Sequence, residues 1–563
     1  VNTPSPVLIS QQAVSRLPRL ALISICLLYV LAGITGHDPW KRIDVASFGY
    51  MWSLAQEQSS YFNLQLAGVT PEFKAYLPYW LGAWSIQATQ GWLAPEVAVR
   101  LPFSLMSLAS MTFLWYAIYH LARNPRAQPV AFAFGGEAQP KDYARSLADA
   151  GLLAYMACLG LALPSHETTP MAMQLFGTAI FMAGASAMAY FPQRALLVWF
   201  GGLLVMTMSG APSMALILGM GSCFLWFKHP QAQLQQVGLM VLTLFSLLGL
   251  TVYLDLWAWH ILPTAVLVLT QHWLEKAELL MWFLWPAWPL AAWTLWRWRG
   301  HWRTQLWSQH LILPLFVFMV TLMGSLITRA PEKTLLLALP SLAALAAFAL
   351  PTLSRSVAAL IDWFTLLFFT GCALMIWGVW ISLQTGVPAQ PALNVARLVP
   401  GYVHNFDGLS ISVAVLVSVV WLKLVQWRIG RHPTVIWKSL VLPASGATLC
   451  WVLLMTLWLP ILDRALSYKP WSTQLVALMN DPSCVYADGL ERNQLAGLSY
   501  HGQFDFIDFH SKSDGQPCDW LMTRQSSQLL STSNEIQGWH MVLKSKRPAD
   551  RNEEILIFKR VGP

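Results

Sequence analysis

Apolar residues in this chain come in long unbroken runs, without the alternation or 3.6-residue spacing of a half-buried soluble fold. Each run is close to the roughly 20 residues that cross about 30 Å of hydrocarbon. They lie near 20–35, 97–122, 147–163, 171–190, 195–209, 211–227 and 237–258, and again near 279–296, 310–327, 334–351, 359–381, 408–427 and 439–459. The pattern predicts an all-α polytopic membrane domain of about thirteen transmembrane helices. Two polar intervals interrupt the series. The first, 36–96, is too long for a plain connection, and its aromatic segments 47–54 and 77–86 suit helices lying in the interface. The second begins after Pro460, where short strand-like runs at 483–487, 519–523 and 554–558 and a helix near 471–480 predict a small α/β domain. The expected division is 1–462 for the membrane domain and 463–563 for the soluble one.

Charge then orients the series. Arg16 and Arg19 precede the first run, so the N-terminus is expected in the cytoplasm. Alternating sides from there puts Arg123, Arg126, Lys141, Arg145, Arg194, Lys228, Arg355 and Arg428 on the cytoplasmic side too. The loop 36–96 and the C-terminal domain then fall outside, which an odd number of spans requires. Cys484 and Cys518 are the only cysteines of that domain. On an oxidising outer side they could form a disulfide or remain two buried thiols, and sequence leaves both open.

Composition agrees with the pattern. The chain has 563 residues, is 56% hydrophobic and only 11% charged, which excludes an ordinary soluble protein. Its net charge of +8 is accounted for by short loops, so no nucleic-acid partner is implied. Tryptophans such as Trp282, Trp285 and Trp288 crowd toward run ends, where they read as an interfacial belt contacting membrane lipids.

Charged residues beside a bilayer are expensive and tend to be kept for function. The stretch Gly36-His37-Asp38-Pro39-Trp40-Lys41-Arg42-Ile43-Asp44, just past the first run, therefore draws attention first. Behind it come Lys74 near Tyr79-Trp80, Val99-Arg100-Leu101-Pro102 opening the next span, and Lys333 to Pro340. Last comes Lys546-Arg547-Pro548-Ala549-Asp550-Arg551 in the tail. In this order the pieces resemble bacterial GT-C glycosyltransferases of the aminoarabinose-transferase and protein O-mannosyltransferase type, along the whole chain. The resemblance implies a GT-C fold in a bacterial inner membrane and a site facing the periplasm. It also implies a polyprenyl-phosphate-linked sugar donor and a lipid A, polysaccharide or protein acceptor.

Such a transfer needs a cation for the charge that develops on the donor phosphate. Lys74 is the candidate, with Arg100 and Arg329 as partners. A hydroxyl acceptor needs a carboxylate to take its proton; Asp44 is expected to serve, with Asp38 second. His166 and Glu167 are accessory candidates in a second outer loop. The plain alternatives are that Asp38 forms a turn before proline, that Lys74 anchors at the interface, and that His166-Glu167 is a solvated loop. No cofactor is indicated and no metal-ligand spacing is present; a divalent ion is compatible with the chemistry but nothing points to one.

The chain also departs from the family pattern. Ile43-Asp44 stands where an Asp-Glu pair is usual, Ala75-Tyr76 where Pro-Pro follows the lysine, and Thr334 where tyrosine is usual. Two rival functions follow: a catalytically impaired binding or scaffold protein on the same fold, and a lipid or oligosaccharide transporter. Against the transporter, no internal repeat is visible and the charges cluster outside the spans.

Overall fold

Proline marks where many of the helices begin. Pro95, Pro140, Pro170, Pro192 and Pro212 each occupy the first turn of a helix, where the missing N–H costs nothing. The computed structural model describes residues 5–257, 273–300, 308–328, 331–430, 435–480, 482, 484–510, 518–524, 538–547 and 553–561. Each of the thirteen apolar runs contains helix. Among the described residues, seven helical segments are long and apolar enough to cross a membrane. They are Pro95–Ala122, Leu234–Tyr253, Gln309–Ile327, Thr334–Thr352, Arg355–Thr385, Gly408–Ile429 and Lys438–Met479. The chain is therefore a multi-pass membrane protein. Arg19–Leu31 and Pro212–Phe227 are apolar but shorter. The run at 279–296 is divided between Trp273–Phe283 and Ala287–Arg297, so run counting and continuous helices give different totals.

Interior helices explain part of that difference. Pro170–Ala187 is buried along almost its whole length, so its neighbours are side chains, not lipid. It meets Pro192–Met208 at glycine: a Cβ on Gly184 would lie 2.3 Å from the Trp199 backbone nitrogen, and one on Gly202 would lie 2.4 Å from that of Phe181. Small residues let the two backbones touch, which is how helices associate where hydrophobicity supplies no drive.

The first polar interval folds as expected into two short helices, Arg42–Ala55 and Leu77–Ala88. The tail builds a five-stranded sheet in the order β2-β1-β3-β5-β4. Its strands are β1 (Val485–Asp488), β2 (Phe506–Asp508), β3 (Trp520–Arg524), β4 (Trp539–Lys546) and β5 (Glu554–Arg560). β1 runs parallel to both β2 and β3, with Val485 opposite Phe506 and Tyr486 opposite Leu521. β5 is antiparallel to β3 and β4. The runs read from sequence correspond to β1, β3 and β5, and the helix near 471–480 is Lys469–Met479; β2 and β4 escaped because they are short or exposed. Cys484 and Cys518 are bonded to one another, joining the starts of β1 and β3.

The C-terminal sheet unit rests on the two short helices Arg42–Ala55 and Leu77–Ala88, and their cores are continuous. Val45, Phe48 and Met51 pack in one cluster with Tyr79, Phe103, Trp471, Leu495 and Leu498. Tyr500 sits edge-on to Phe48 and Trp52, and its hydroxyl donates to Glu96 at 2.7 Å. The closest approach is at Gly49, where a Cβ would lie 2.4 Å from that of Ala496. Gly49→Ala should therefore destabilise the protein by about 1–3 kcal/mol, the usual cost of overpacking. Gly371→Ala, into open space on a span, should be near neutral. Thermal unfolding of both purified variants checks this, and equal melting points would contradict the close approach.

Candidate functional site

The helix Arg42–Ala55 starts straight out of the polar motif, with Lys41 extended at its N-cap and Asp44 in its first turn. Its two faces do different things. Arg42, Ile43, Ala46, Ser47 and Tyr50 line a cavity of about 1170 Å³ at the junction of the membrane and soluble parts. Asp44 lies off that face and is 6% exposed. Its Oδ1 accepts from the backbone N–H of Thr168 at 2.7 Å and from the Thr168 hydroxyl at 2.8 Å. It thereby ties the helix Arg42–Ala55 to the turn that opens Pro170–Ala187. Burial pushes the Asp44 carboxyl up from its ordinary range, opposed by the charge of Arg100 and by the two Thr168 bonds.

The other residues singled out from sequence fall around this cavity in different ways. Asp38 is buried; its backbone N–H donates to Asp463 at 2.9 Å, and its carboxylate accepts from the Ser467 hydroxyl and faces His501 at 3.4 Å. It joins the polar motif to the end of the last membrane helix and to the soluble unit. Arg100, 3% exposed, donates to the carbonyls of Ile34 and His37 at 3.2 and 2.7 Å and to His37 Nδ1 at 3.1 Å. Lys74 is ion-paired with Asp255, while Glu72 and Phe73 just before it line the cavity. His166 lies against the Trp451 ring at a tilt of 33° and is bonded to the carbonyls of Ala162 and Tyr29; its neighbour Glu167 lines the cavity. Arg329 lies outside the described residues. Among the described residues no group of His, Cys, Asp or Glu is arranged to hold a metal ion.

The cavity wall has two characters. Toward the membrane it is apolar, formed by Leu159, Leu163, Phe283, Trp451, Leu454 and Met455. The last two belong to a helix that continues Lys438–Leu453 through a π-helical turn, Leu454–Trp458, a widening common at functional sites. Toward the soluble unit the wall is charged. Lys41, Arg42, Arg492 and Arg547 line it, with Glu72, Glu167 and Glu491 and the amide of Asn493. Glu491, Arg492 and Asn493 arrive there because β1 ends at Asp488, turns at Gly489 with φ +63°, and leads into the helix Arg492–Gly502. The carboxyl ends of parallel strands are where α/β sheets present such groups.

Not all of these charges are committed. Arg42 pairs with Glu491 at 3.4 Å and with Glu553 at 3.3 Å, and Arg547 pairs with Glu553 at 2.7 Å. Arg492 donates to the Thr70 carbonyl at 2.8 Å. Among the described residues neither Lys41 nor Arg492 has a carboxylate partner, so these two cations remain for an anion in the cavity. Sequence reading passed over both. Lys41 was in plain view in the motif, and Arg547 lay in the quoted tail segment 546–551 without a role assigned to it, whereas Arg492 and Glu553 carry no local signal and are assembled by the fold.

No protein-family model matches the chain, and no curated protein matches it by sequence. Solved structures do. ArnT from Cupriavidus metallidurans bound to undecaprenyl phosphate aligns with a TM-score of 0.58 at 13% identity, over 97% of this chain and 99% of that one. The same protein in the apo state aligns with a TM-score of 0.58 at 12% identity over the same shares. At such identities the likeness is one of fold, from the first span through the soluble domain.

His37 offers a test of how tightly this region is built. Burial first, and then the charge of Arg100, lower it to about 4. An unfolded histidine takes its proton near about 6.5. Between those values the unfolded chain binds more protons than the folded one, so stability falls as pH is lowered through that window. Melting temperature should drop between about pH 7 and pH 5, and His37→Gln should flatten part of that slope. An unchanged slope in the variant would show that His37 is not held neutral.

Proposed function

We propose that this chain is a membrane glycosyltransferase that takes a sugar from a polyprenyl-phosphate carrier and passes it to a lipid or glycan acceptor. One observation carries the reading. The cavity is apolar on its membrane side and cationic on the other, which matches an isoprenoid chain ending in a charged sugar-phosphate head. The fold shared with ArnT, solved with undecaprenyl phosphate bound, supports the same class of ligand. The positive-inside pattern supports a cytoplasmic N-terminus and a periplasmic soluble domain, and so does the bonded pair Cys484–Cys518.

The chemistry follows from the groups in the wall. The acceptor oxygen attacks the anomeric carbon, the bond from that carbon to the phosphate oxygen breaks, and its electron pair stays with the phosphate. Lys41 and Arg492 stabilise the charge that collects there. A hydroxyl acceptor gives its proton to a carboxylate; of the three acids in the wall Glu72 and Glu167 are proposed for this, Glu491 being held by Arg42 and Arg524. In this reading Asp44, Asp38 and Arg100 are positioning groups that hold the polar motif in place. Lys74 joins the phosphate only by exchanging its Asp255 partner for it.

One observation favours a second reading, a carrier-binding protein without transferase activity. Ile43, where the family resemblance calls for an aspartate, lines the wall. The same assay separates the two. Purified protein in nanodiscs, given radiolabelled polyprenyl-phosphate sugars and membrane acceptors, should release labelled product. Lys41→Ala and Arg492→Ala should each lower transfer by about 10- to 100-fold, the worth of a charge-assisted contact. Tight carrier binding with no product would establish the second reading, and full activity in both variants would remove these cations from the site.

A further inference from the structure

We propose that Glu553, a carboxylate sealed beneath the cavity wall, is a positioning residue that sets Arg42, Arg547 and Asn493 for the head group of the lipid carrier. The proposal rests on the carrier-binding reading above and adds to it that the soluble domain is a working part of the site. Glu553 is 1% exposed. Its Oε1 accepts from Asn493 Nδ2 at 2.7 Å and faces Arg42 Nε at 3.3 Å. Its Oε2 accepts from the Tyr468 hydroxyl at 2.7 Å and faces Arg547 Nε at 2.7 Å.

Three of these four partners line the cavity. They come from separate parts of the chain: the start of the first interfacial helix, the start of the helix after β1, and the end of β4. Arg547 is fixed further, donating to the Leu466 carbonyl at 2.6 Å and lying over the Tyr468 ring at 4.5 Å. A carboxylate is costly to bury unless each lone pair is met, and removing it leaves the guanidiniums unmatched. Held in this way, the two arginines present fixed edges to the cavity. Without the carboxylate they become flexible cations that must be ordered again by each incoming ligand.

Glu553→Gln keeps the shape and removes the charge. Full-length protein in nanodiscs, titrated with undecaprenyl phosphate, should bind about 10-fold or more weakly in this variant, as expected when charged hydrogen bonds lose their partner. In an Arg42→Ala/Arg547→Ala background Glu553→Gln should change binding far less, because most of its effect runs through those two side chains and only the neutral Asn493 contact remains. A role in packing alone would lower stability and leave the dissociation constant of the folded protein untouched. Should Glu553→Gln fail to fold, Tyr468→Phe carries the test, since it loosens the carboxylate and keeps the ring under Arg547; the hydroxyl's bonds to Glu553 and Asn493 are both lost, so about 3- to 10-fold weaker binding is expected. Wild-type affinity in the folded variants, or an equal loss in the double-alanine background, would overturn the proposal. Failure of the wild-type protein to bind undecaprenyl phosphate would instead bring down the reading it rests on, and the proposal with it.

Discussion

Charges taken out of water at a membrane boundary must be matched one by one, because neither lipid nor a packed protein core can solvate them. This chain gathers most of its buried charge where the polar motif after the first span, the last membrane helix and the soluble unit converge. Asp38 joins the motif to Ser467 and His501, Asp44 joins it to Thr168, and Arg42 joins it to Glu491 and Glu553. Each pairing links segments far apart in sequence. The soluble unit is therefore locked onto the membrane part by the same contacts that shape the cavity between them.

That lock explains why the cavity has two kinds of wall. The membrane helices can offer only apolar surface on their side, and the π-helical turn after Leu453 opens room for it. The charged side is supplied from elsewhere, by a short helix rooted in the polar motif and by the loop that leaves β1. With Arg42 and Arg547 held by Glu553, and Lys41 and Arg492 without carboxylate partners among the described residues, the wall combines fixed cations with available ones.

Much of the architecture was legible because it rests on composition. Runs of apolar residues mark helices whatever surrounds them, and the drop in hydrophobicity after Pro460 marks the soluble unit. The site was legible only in part. The motif at 36–44 was the right place to look, but which of its charges face the cavity depends on helical phase. Positions 43, 46, 47 and 50 share the cavity face, and Asp44 turns away from it toward Thr168. Lys74 and Asp255 stand 181 residues apart, and nothing near either announces the other. Glu553 is the first of two adjacent glutamates at the head of a strand, and its importance comes wholly from what the fold brings around it.

The account stands on where an anionic carrier lipid comes to rest. An experimental structure with undecaprenyl phosphate bound tests that directly. The phosphate should lie within hydrogen-bonding reach of the Lys41 ammonium and the Arg492 guanidinium, with the isoprenoid chain running past Trp451 and Leu454. A phosphate found outside this cavity, or inside it but touching neither cation, would contradict the account.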